Sequence, residues 1–289
     1  MLHIDDVNKR LDVNPEPKEV KEIRENIIKS FSKLEFVEEG HKYYVHNDDG
    51  TLTTLPSVSH VCHQFEPQVD WDVICENKAK KLNIPTETLK REWKENNIKS
   101  TNNGTKTHLY GENMMKFVMG NFDEIDDLLK PQFEDGFFIP YGKKEEAISS
   151  FYEDIIKIDN FYPVMAEAKL YTGINDTTNF KQNYSGTFDM LFAFKSKDGS
   201  YKLSILDFKT NKTLYNDFNQ MKGNCLLHPF DDMIDESKSI YSLQLSLYQI
   251  GLEQLGYEIA DRKLIWLKDD GTYEKVAVPN LTEKLRNVL

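Results

Sequence analysis

The sequence predicts an α/β fold in which a mixed central sheet is flanked by helices and follows a large helical block. Three stretches rich in β-branched and aromatic residues have the composition of strands: Phe161–Tyr171, 185–194 and Tyr201–Lys209. A helical pattern at about 237–256 then separates them from a second strand pair, at 262–267 and 273–278. Strands, a crossing helix and further strands are typical of an α/β core.

The N-terminal part, 1–56, is predicted to hold one helix and one β-hairpin. Between residues 17 and 34 the apolar residues recur every three or four positions, which indicates an amphipathic helix. From 42 to 55 the period changes, and the turn residues at 47–50 separate two short apolar stretches. We expect these stretches to pair as antiparallel strands.

The middle part, 57–157, is predicted to be all-helical and built from several short helices. Ser57 is a good N-cap before the apolar Val58. Expected breaks lie at Pro56, Pro67, Pro85, Gly104, Pro131 and Pro140. This block precedes the α/β core at 158–289 and has the length to form an arch over a site there.

Composition and charge restrict the classes of function. With 39% hydrophobic residues the chain can bury a core, while a net charge of −12 argues against non-specific coating of nucleic acid. No signal-peptide pattern and no long apolar run occur, so we expect a cytoplasmic protein without membrane contact. The three cysteines are widely spaced, which argues against a zinc site of thiolates and excludes a four-cysteine iron–sulfur cluster.

The predicted hairpin 185–209 carries charged residues in an apolar setting. Asp189 lies on its first strand, and Asp207 and Lys209 lie on its second. Both faces of both strands are otherwise largely apolar; Phe188 and Met190 are expected on the face opposite Asp189. Because the turn is centred at 198–199, the two aspartates should lie opposite or diagonal to each other.

Two buried carboxylates this close repel each other unless a cation lies between them. Oxygen ligands suit Mg²⁺ or Mn²⁺, and Lys209 could then orient a water molecule that attacks a phosphate. The triplet Asp207-Phe-Lys209 alone carries little weight, because the sequence holds eight [DE]-x-K triplets. The alternative is a buried Asp–Lys ion pair that only holds the sheet together.

The order of these motifs resembles the PD-(D/E)XK nuclease superfamily, with its restriction-endonuclease-like fold. Within it the chain is most similar to the RecB-like exonucleases, which include phage recombination exonucleases and mitochondrial genome-maintenance exonucleases. The matching motifs are Gly186-Thr-Phe-Asp189 and Asp207-Phe-Lys209, with Gly104-Thr-Lys-Thr-His108 upstream and Gln244-Leu-Ser-Leu-Tyr248 downstream. They cover about 100–250, and the G-T-x-x-H element is expected to open a helix.

The resemblance implies a role for each matching residue. His108, Asp189, Asp207 and the Phe208 carbonyl would hold one or two Mg²⁺ or Mn²⁺ ions. Glu167 would order water at the site. Gln244 and Tyr248 would face it and hold a phosphate or Lys209. The implied reaction is hydrolysis of a DNA phosphodiester by in-line attack of an activated water.

The same resemblance implies DNA as the substrate, single-stranded or with free ends, in recombination, repair or replication. Candidate backbone contacts are Lys169, Lys181, Lys195, Lys212 and Lys222. No nucleotide-binding G-x-x-x-x-G-K-[ST] motif occurs, so a helicase or recombinase would act in trans. The alternatives are a structure-specific or restriction-type endonuclease on the same core, and an inactive nucleic-acid-binding or assembly module.

Overall fold

The computed structural model describes residues 2–125, 133–174 and 180–289. Two helices, α1 (Ile4–Val13) and α2 (Lys18–Ser30), precede a three-stranded antiparallel sheet. Its strands are β1 (Leu34–Val37), β2 (Lys42–His46) and β3 (Leu52–Leu55), which confirms the predicted hairpin. The predicted helix ends earlier than expected, at Ser30. Leu34 begins β1 and still packs against the core, which is why it fitted the helical spacing.

The helical block contains α3 (Val58–His63), α4 (Trp71–Leu82), α5 (Thr86–Val118) and α6 (Lys143–Ile155). Ser57 is the N-cap of α3, and its hydroxyl accepts a hydrogen bond from the His60 amide at 3.1 Å. Asp70 likewise caps α4 by accepting from two amides of its first turn. Helices are confirmed in this block, but the prediction that it is all-helical is wrong, because it also contains a short β-hairpin.

Two details of this block differ from the prediction. Helix α5 runs for 33 residues and passes through Gly104, so the G-T-x-x-H element lies inside a helix and does not open one. A single interior glycine costs a helix only about 1 kcal/mol, which the buried packing of its C-terminal half outweighs. The block also holds a 3₁₀ turn (Phe122–Glu124) and a short hairpin, β4 (Phe133–Glu134) with β5 (Phe137–Phe138). The predicted break at Pro131 lies outside the described residues.

The C-terminal half forms a five-stranded mixed sheet. Its strands are β6 (Phe161–Tyr171), β7 (Ser185–Lys195), β8 (Tyr201–Lys209), β9 (Ile259–Leu267) and β10 (Tyr273–Ala277). The spatial order is β10-β9-β8-β7-β6, and only the β8–β9 pair is parallel. Between β8 and β9 lie α7 (Asp217–Lys222) and α8 (Ser237–Glu253), and α9 (Thr282–Val288) follows β10. Parallel neighbours need a long crossover, which α8 provides.

The tight turn between β7 and β8 sets the register of the central hairpin. Gly199 adopts a φ of +88°, which glycine reaches without strain. The Asp198 carboxylate accepts from the Ser200 amide at 2.9 Å and closes the turn. Beyond it, Phe194 pairs with Lys202, and the ladder continues to Met190 opposite Leu206. The two strands are therefore paired in the predicted register from the turn to Met190 and Leu206.

Apolar clusters cover both faces of the sheet. On one face Phe192 and Phe208 pack with residues of α5 and α6, such as Phe151. On the other, Ile205 packs with residues of α8 and α9. Chain segments from the helical block and the sheet thus share one buried layer. The described fold is mixed α/β, with a three-stranded antiparallel sheet and a five-stranded mixed sheet flanked by helices.

Helix α4 and the first two-thirds of α5 project from this core as an arm, residues 71–106. Its buried side chains are Cys75, Ala79 and Leu89, which pack on one another with Ile84 and Trp93 in a cluster separate from the main core. Most other arm residues are exposed. Within the described ranges, no helix is both long enough and apolar enough to cross a membrane.

Candidate metal centre

Three acidic residues lie in one row across the neighbouring strands β6, β7 and β8 of the large sheet. The flanking pairs are Ala166 with Met190, Ala168 with Phe188, and Met190 with Leu206. This register sets Glu167 of β6 opposite Asp189 of β7, and Asp189 opposite Asp207 of β8. The strand pairing therefore places the two aspartates opposite each other, as predicted, and it adds Glu167 on a third strand.

The backbone is irregular at this row. Glu167 has a φ of +47°, in the left-handed region that a non-glycine residue rarely adopts. Beside it the apolar neighbours of Asp189 lie on different faces: Met190 packs beneath α5 and α6, whereas Phe188 packs against Tyr248 of α8. The expectation that Phe188 and Met190 share a face is wrong, because β7 departs from regular alternation at Asp189. Strained backbone of this kind concentrates at functional sites.

His108 reaches the row from helix α5. Its Nδ1 lies 3.2 Å from Asp189 Oδ2 and 3.9 Å from Glu167 Oε1. The possible ligand atoms of these three residues all lie within 4.8 Å of one another. The amide of Phe208 also donates to Asp189 Oδ2, at 2.7 Å, and so fixes that carboxylate. One imidazole nitrogen and two carboxylates thus converge on one point.

A glycine allows α5 to approach this closely. A Cβ at Gly111 would lie 2.7 Å from a ring carbon of Phe208, closer than real contacts allow. Gly111 is three residues after His108 and therefore on the same side of the helix. Its missing side chain lets α5 pack directly on β8, which brings the imidazole to the acidic row.

Asp207 and Lys209 form a buried ion pair beside this cluster. The Asp207 side chain is 1% exposed and that of Lys209 11% exposed, and the ammonium contacts Asp207 Oδ2. Asp207 Oδ2 therefore faces Lys209, whereas the buried Oδ1 has no hydrogen-bond partner among the described residues. A buried carboxylate with unused acceptors is costly unless a cation completes its surroundings.

Helix α8 holds Lys209 in place. Gln244 Oε1 accepts from the Lys209 ammonium at 3.3 Å, and Gln244 Nε2 donates to the Tyr248 hydroxyl at 2.9 Å. The ring of Tyr241 lies under the same ammonium, with 4.0 Å between Nζ and the ring centroid. Gln244 therefore contacts Lys209 directly, and Tyr248 contacts Gln244. Of the two roles that the resemblance implies for this pair, these contacts fit the holding of Lys209.

Electrostatics show how unevenly charge is balanced in the cluster. Burial and the Asp189 charge raise the pKa of Glu167 to about 8. Burial acts to lower the pKa of His108, but Asp189 and Glu167 outweigh it and raise that pKa to about 9. Burial and Asp189 also raise the pKa of Asp207 to about 6, against the opposing effect of Lys209. His108 and Glu167 are therefore protonated at neutral pH, and their protons offset the negative charge that a bound cation would otherwise neutralise.

The charges of Asp189 and Lys209 are stabilised by the oppositely charged residues around them. Burial acts to raise the pKa of Asp189, yet the His108 and Lys209 charges keep it below its ordinary value. Burial acts to lower the pKa of Lys209, but Asp207 and Asp189 raise it. At neutral pH the centre thus keeps an ionised Asp189 and a charged Lys209.

The donor set fits a hard divalent cation. Carboxylate oxygens and one imidazole nitrogen suit Mg²⁺ or Mn²⁺ better than a thiophilic ion. The residues whose possible ligand atoms converge are His108, Glu167 and Asp189, so Glu167 could itself hold the ion, a role that the resemblance did not give it. Asp207 lies next to this group but outside it, paired with Lys209. The Phe208 carbonyl as a ligand stays a prediction.

The five lysines expected to contact DNA are all exposed. Lys169 lies two residues beyond Glu167 on β6, and its ammonium stands 5.7 Å from the Phe36 ring centroid. Lys212 follows β8 three residues after Lys209. Lys195 lies at the far end of β7, about 20 Å from Asp189 along the strand. Lys195 therefore lies farther along the sheet from the centre than Lys169 does, and DNA contact by the five lysines stays a prediction.

Sequence reasoning missed two residues that shape the centre. Tyr241 lies three positions before Gln244 on α8, and Gly111 lies three positions after His108 on α5. The helical spacing alone could have drawn attention to both.

No family model matches the chain, and none of the curated proteins compared with it matches either. The family resemblance therefore continues to rest on the residues themselves.

Proposed function

We propose that this protein is a metal-dependent nuclease that hydrolyses phosphodiester bonds in DNA. The observation that carries the proposal is the acidic row Glu167–Asp189–Asp207, met by His108 from one side and Lys209 from the other. A purely structural ion pair would need only Asp207 and Lys209. Such a pair does not require the imidazole of His108 or the carboxylates of Glu167 and Asp189, whose possible ligand atoms lie within 4.8 Å of one another.

In this proposal His108, Glu167 and Asp189 hold a Mg²⁺ or Mn²⁺ ion, with Asp207 adjoining them. The bound cation supplies a Lewis acid that offsets phosphate charge and makes a water molecule more acidic. The Phe208 amide keeps Asp189 oriented toward the cluster. Glu167, whose pKa of about 8 leaves it protonated at neutral pH without a cation, would lose that proton on binding one.

Lys209 is the residue placed to act on the reacting phosphate. Its ammonium is held by Asp207, by Gln244 Oε1 and over the Tyr241 ring, so it has little freedom to turn away. A fixed positive charge stabilises negative charge that develops on a phosphate oxygen. Gln244 and Tyr248 are positioning residues in this arrangement, because they act through Lys209.

We also propose membership of the PD-(D/E)XK superfamily, in its RecB-like exonuclease branch. Its support is the position of the motif residues on the fold. Asp189 and Asp207 lie on adjacent antiparallel strands, with Lys209 two residues further on. The histidine comes from a preceding helix, and the Gln244 pair from the helix that follows. A strand-separating enzyme would act in trans.

The test is cleavage of end-labelled linear DNA and of circular single-stranded DNA, each with Mn²⁺, Mg²⁺ or EDTA. We expect metal-dependent loss of the linear substrate and survival of the circle. Asp207→Asn and Lys209→Met should each reduce the rate at least about 100-fold, as expected for removal of a group that acts in the transition state.

The chain supplies its own matched control. Asp261 and Lys263 form another D-x-K triplet with an ion pair on the neighbouring strand β9, but more exposed to solvent. Asp261→Asn and Lys263→Met should leave cleavage within about twofold. Cutting of the circle would assign an endonuclease, and metal-independent or absent cleavage by the wild type would refute the proposal.

A further inference from the structure

The arm, residues 71–106, has a charge opposite to that of the chain. It carries eight Lys and Arg against five Asp and Glu, a net charge of +3 in a protein of −12. Seven of the eight basic residues are exposed: Lys78, Lys80, Lys81, Arg91, Lys94, Lys99 and Lys106. The eighth, Lys90, is paired with Asp72 at 2.8 Å. Such a local excess of positive charge is what binding of a polyanion requires.

The arm leaves the core beside the metal centre. Lys106 ends the arm, and His108 follows two residues later on the same continuous helix. At this junction Gly104 passes close to Thr210, the residue directly after Lys209, and a Cβ there would meet its hydroxyl at 3.8 Å. The basic arm is therefore continuous with the site proposed to cut a phosphodiester.

A groove of about 1390 Å³ lies at the base of the arm. It runs between the first turn of α4 and helix α7, and its lining includes Gln244 and Tyr241, the residues that contact Lys209. Pockets for a single small ligand measure roughly 300–1,000 Å³, so the groove has room for several units of a polymer. It therefore leads from the surface toward Lys209.

Two exposed aromatic side chains line this groove on different elements. Trp71 on α4 is 68% exposed, and Phe218 on α7 is 60% exposed. Two large exposed aromatic side chains that line one groove form an apolar surface of the kind that marks a binding site. The remaining lining is mainly amide, hydroxyl, carboxylate and aliphatic, and among the described residues no lysine or arginine lies in it. Such a surface suits uncharged planar bases better than phosphates.

We propose that this groove and arm bind the unpaired strand of a nucleic acid, with bases stacked on Trp71 and Phe218 and phosphates facing the arm. The inference rests on the proposed nuclease function, because it takes the strand's destination to be the metal centre. Aromatic platforms combined with a basic track are the usual way of binding single strands without sequence preference. A duplex hides its base faces and gains nothing from the two rings.

The experiment measures binding of fluorescein-labelled oligothymidylate by anisotropy in EDTA, where no metal-dependent cutting occurs. Trp71→Ala and Phe218→Ala should each weaken binding about 5- to 150-fold, the range found for loss of one stacked base. Matched controls remove exposed apolar side chains on the same two helices outside the groove lining. Leu82→Ala on α4 and Met221→Ala on α7 should stay within about twofold.

A second ligand distinguishes stacking from general damage. An oligonucleotide with abasic positions should bind the wild type more weakly than oligothymidylate, and the Trp71→Ala/Phe218→Ala double variant should no longer discriminate between them. Replacing Lys94 and Lys99 by Gln should lower the salt slope of single-strand binding by about 0.7 for each phosphate that these lysines neutralise in the wild type.

Three results would overturn the inference: no binding of oligothymidylate by the wild type, unchanged binding by both aromatic variants, or equal weakening of duplex and single-strand binding in those variants. Failure of the proposed nuclease function gives a different pattern. In that case Mn²⁺ produces no cleavage, while the binding measurements in EDTA still separate the aromatic variants from their controls.

Discussion

Replacing Gly111 by Ala tests whether close packing of α5 on β8 builds the metal centre. The added Cβ would lie 2.7 Å and 3.0 Å from two carbons of the buried Phe208 ring. Ordinary carbon contacts begin near 3.4 Å or more, so the helix or the ring must shift by about 0.5–1 Å. His108, three residues away, would move with the helix relative to Asp189.

The size of the effect follows from comparison with Gly104 on the same helix. There an added Cβ meets only Thr210, at an ordinary 3.8 Å. Both changes gain about 0.5–1 kcal/mol of helix propensity, but only Gly111→Ala overpacks a core, at a cost of about 1–3 kcal/mol. We expect the Gly104→Ala variant to be the more stable of the two by about 1–3 kcal/mol.

Denaturant unfolding in EDTA measures this difference, and titration with Mn²⁺ measures the centre. Gly111→Ala should weaken Mn²⁺ binding at least several-fold, because a donor displaced by about 0.5–1 Å no longer fits the cation. Gly104→Ala should bind Mn²⁺ as the wild type does. Equal stability and equal Mn²⁺ affinity in the two variants would refute the role given to Gly111.

Three further predictions concern the same cluster. Mn²⁺ affinity should rise between pH 6.5 and 8.5, by about tenfold per pH unit for each proton released. The reason is that His108 (pKa about 9) and Glu167 (pKa about 8) must lose their protons to bind the ion. Calorimetry that finds a pH-independent affinity would contradict this. Glu167→Gly should be about 1 kcal/mol more stable than Glu167→Ala in EDTA, because only glycine adopts a φ of +47° without strain; equal midpoints in urea would count against strain at this residue. Lys209→Met should lower metal-free stability at pH 8 by about 3 kcal/mol, because it leaves the Asp207 charge buried and unpaired, and adding Asp207→Asn should restore most of the stability; a double variant no more stable than Lys209→Met would exclude this explanation.

Local patterns predicted the elements on which the centre stands. The strand bounds of Phe161–Tyr171 and Tyr201–Lys209 agree with the structure, because both stretches are runs of β-branched and aromatic residues. For Tyr201–Lys209 the strong Asp-Gly turn before it also leaves little choice of register. The opposition of Asp189 and Asp207 followed from counting residues to that turn. Gln244 and Tyr248 lie on one face of α8 because of their four-residue spacing.

Features that depend on contacts between distant segments were not predictable in this way. A break was expected at Gly104, because a glycine is a helix-weakening residue when only its neighbours are considered. In the structure the buried half of α5, including Tyr110 and Met114, holds the helix together. Phe188 likewise lies on the face of β7 opposite to the predicted one. That placement depends on how β7 pairs with Glu167 of β6, which is 21 residues away in the sequence.

The sequence by itself determined the strands, the hairpin register and the chemical types in the acidic row, since these depend on residue periodicity and on a short-range turn. Only the tertiary structure decided that His108 meets Glu167 and Asp189, that Asp207 is left with unused acceptors, and that a basic arm and an aromatic groove adjoin Lys209. The physical reason is that these arrangements come from helix packing on the sheet, where one missing Cβ at Gly111 sets the distance.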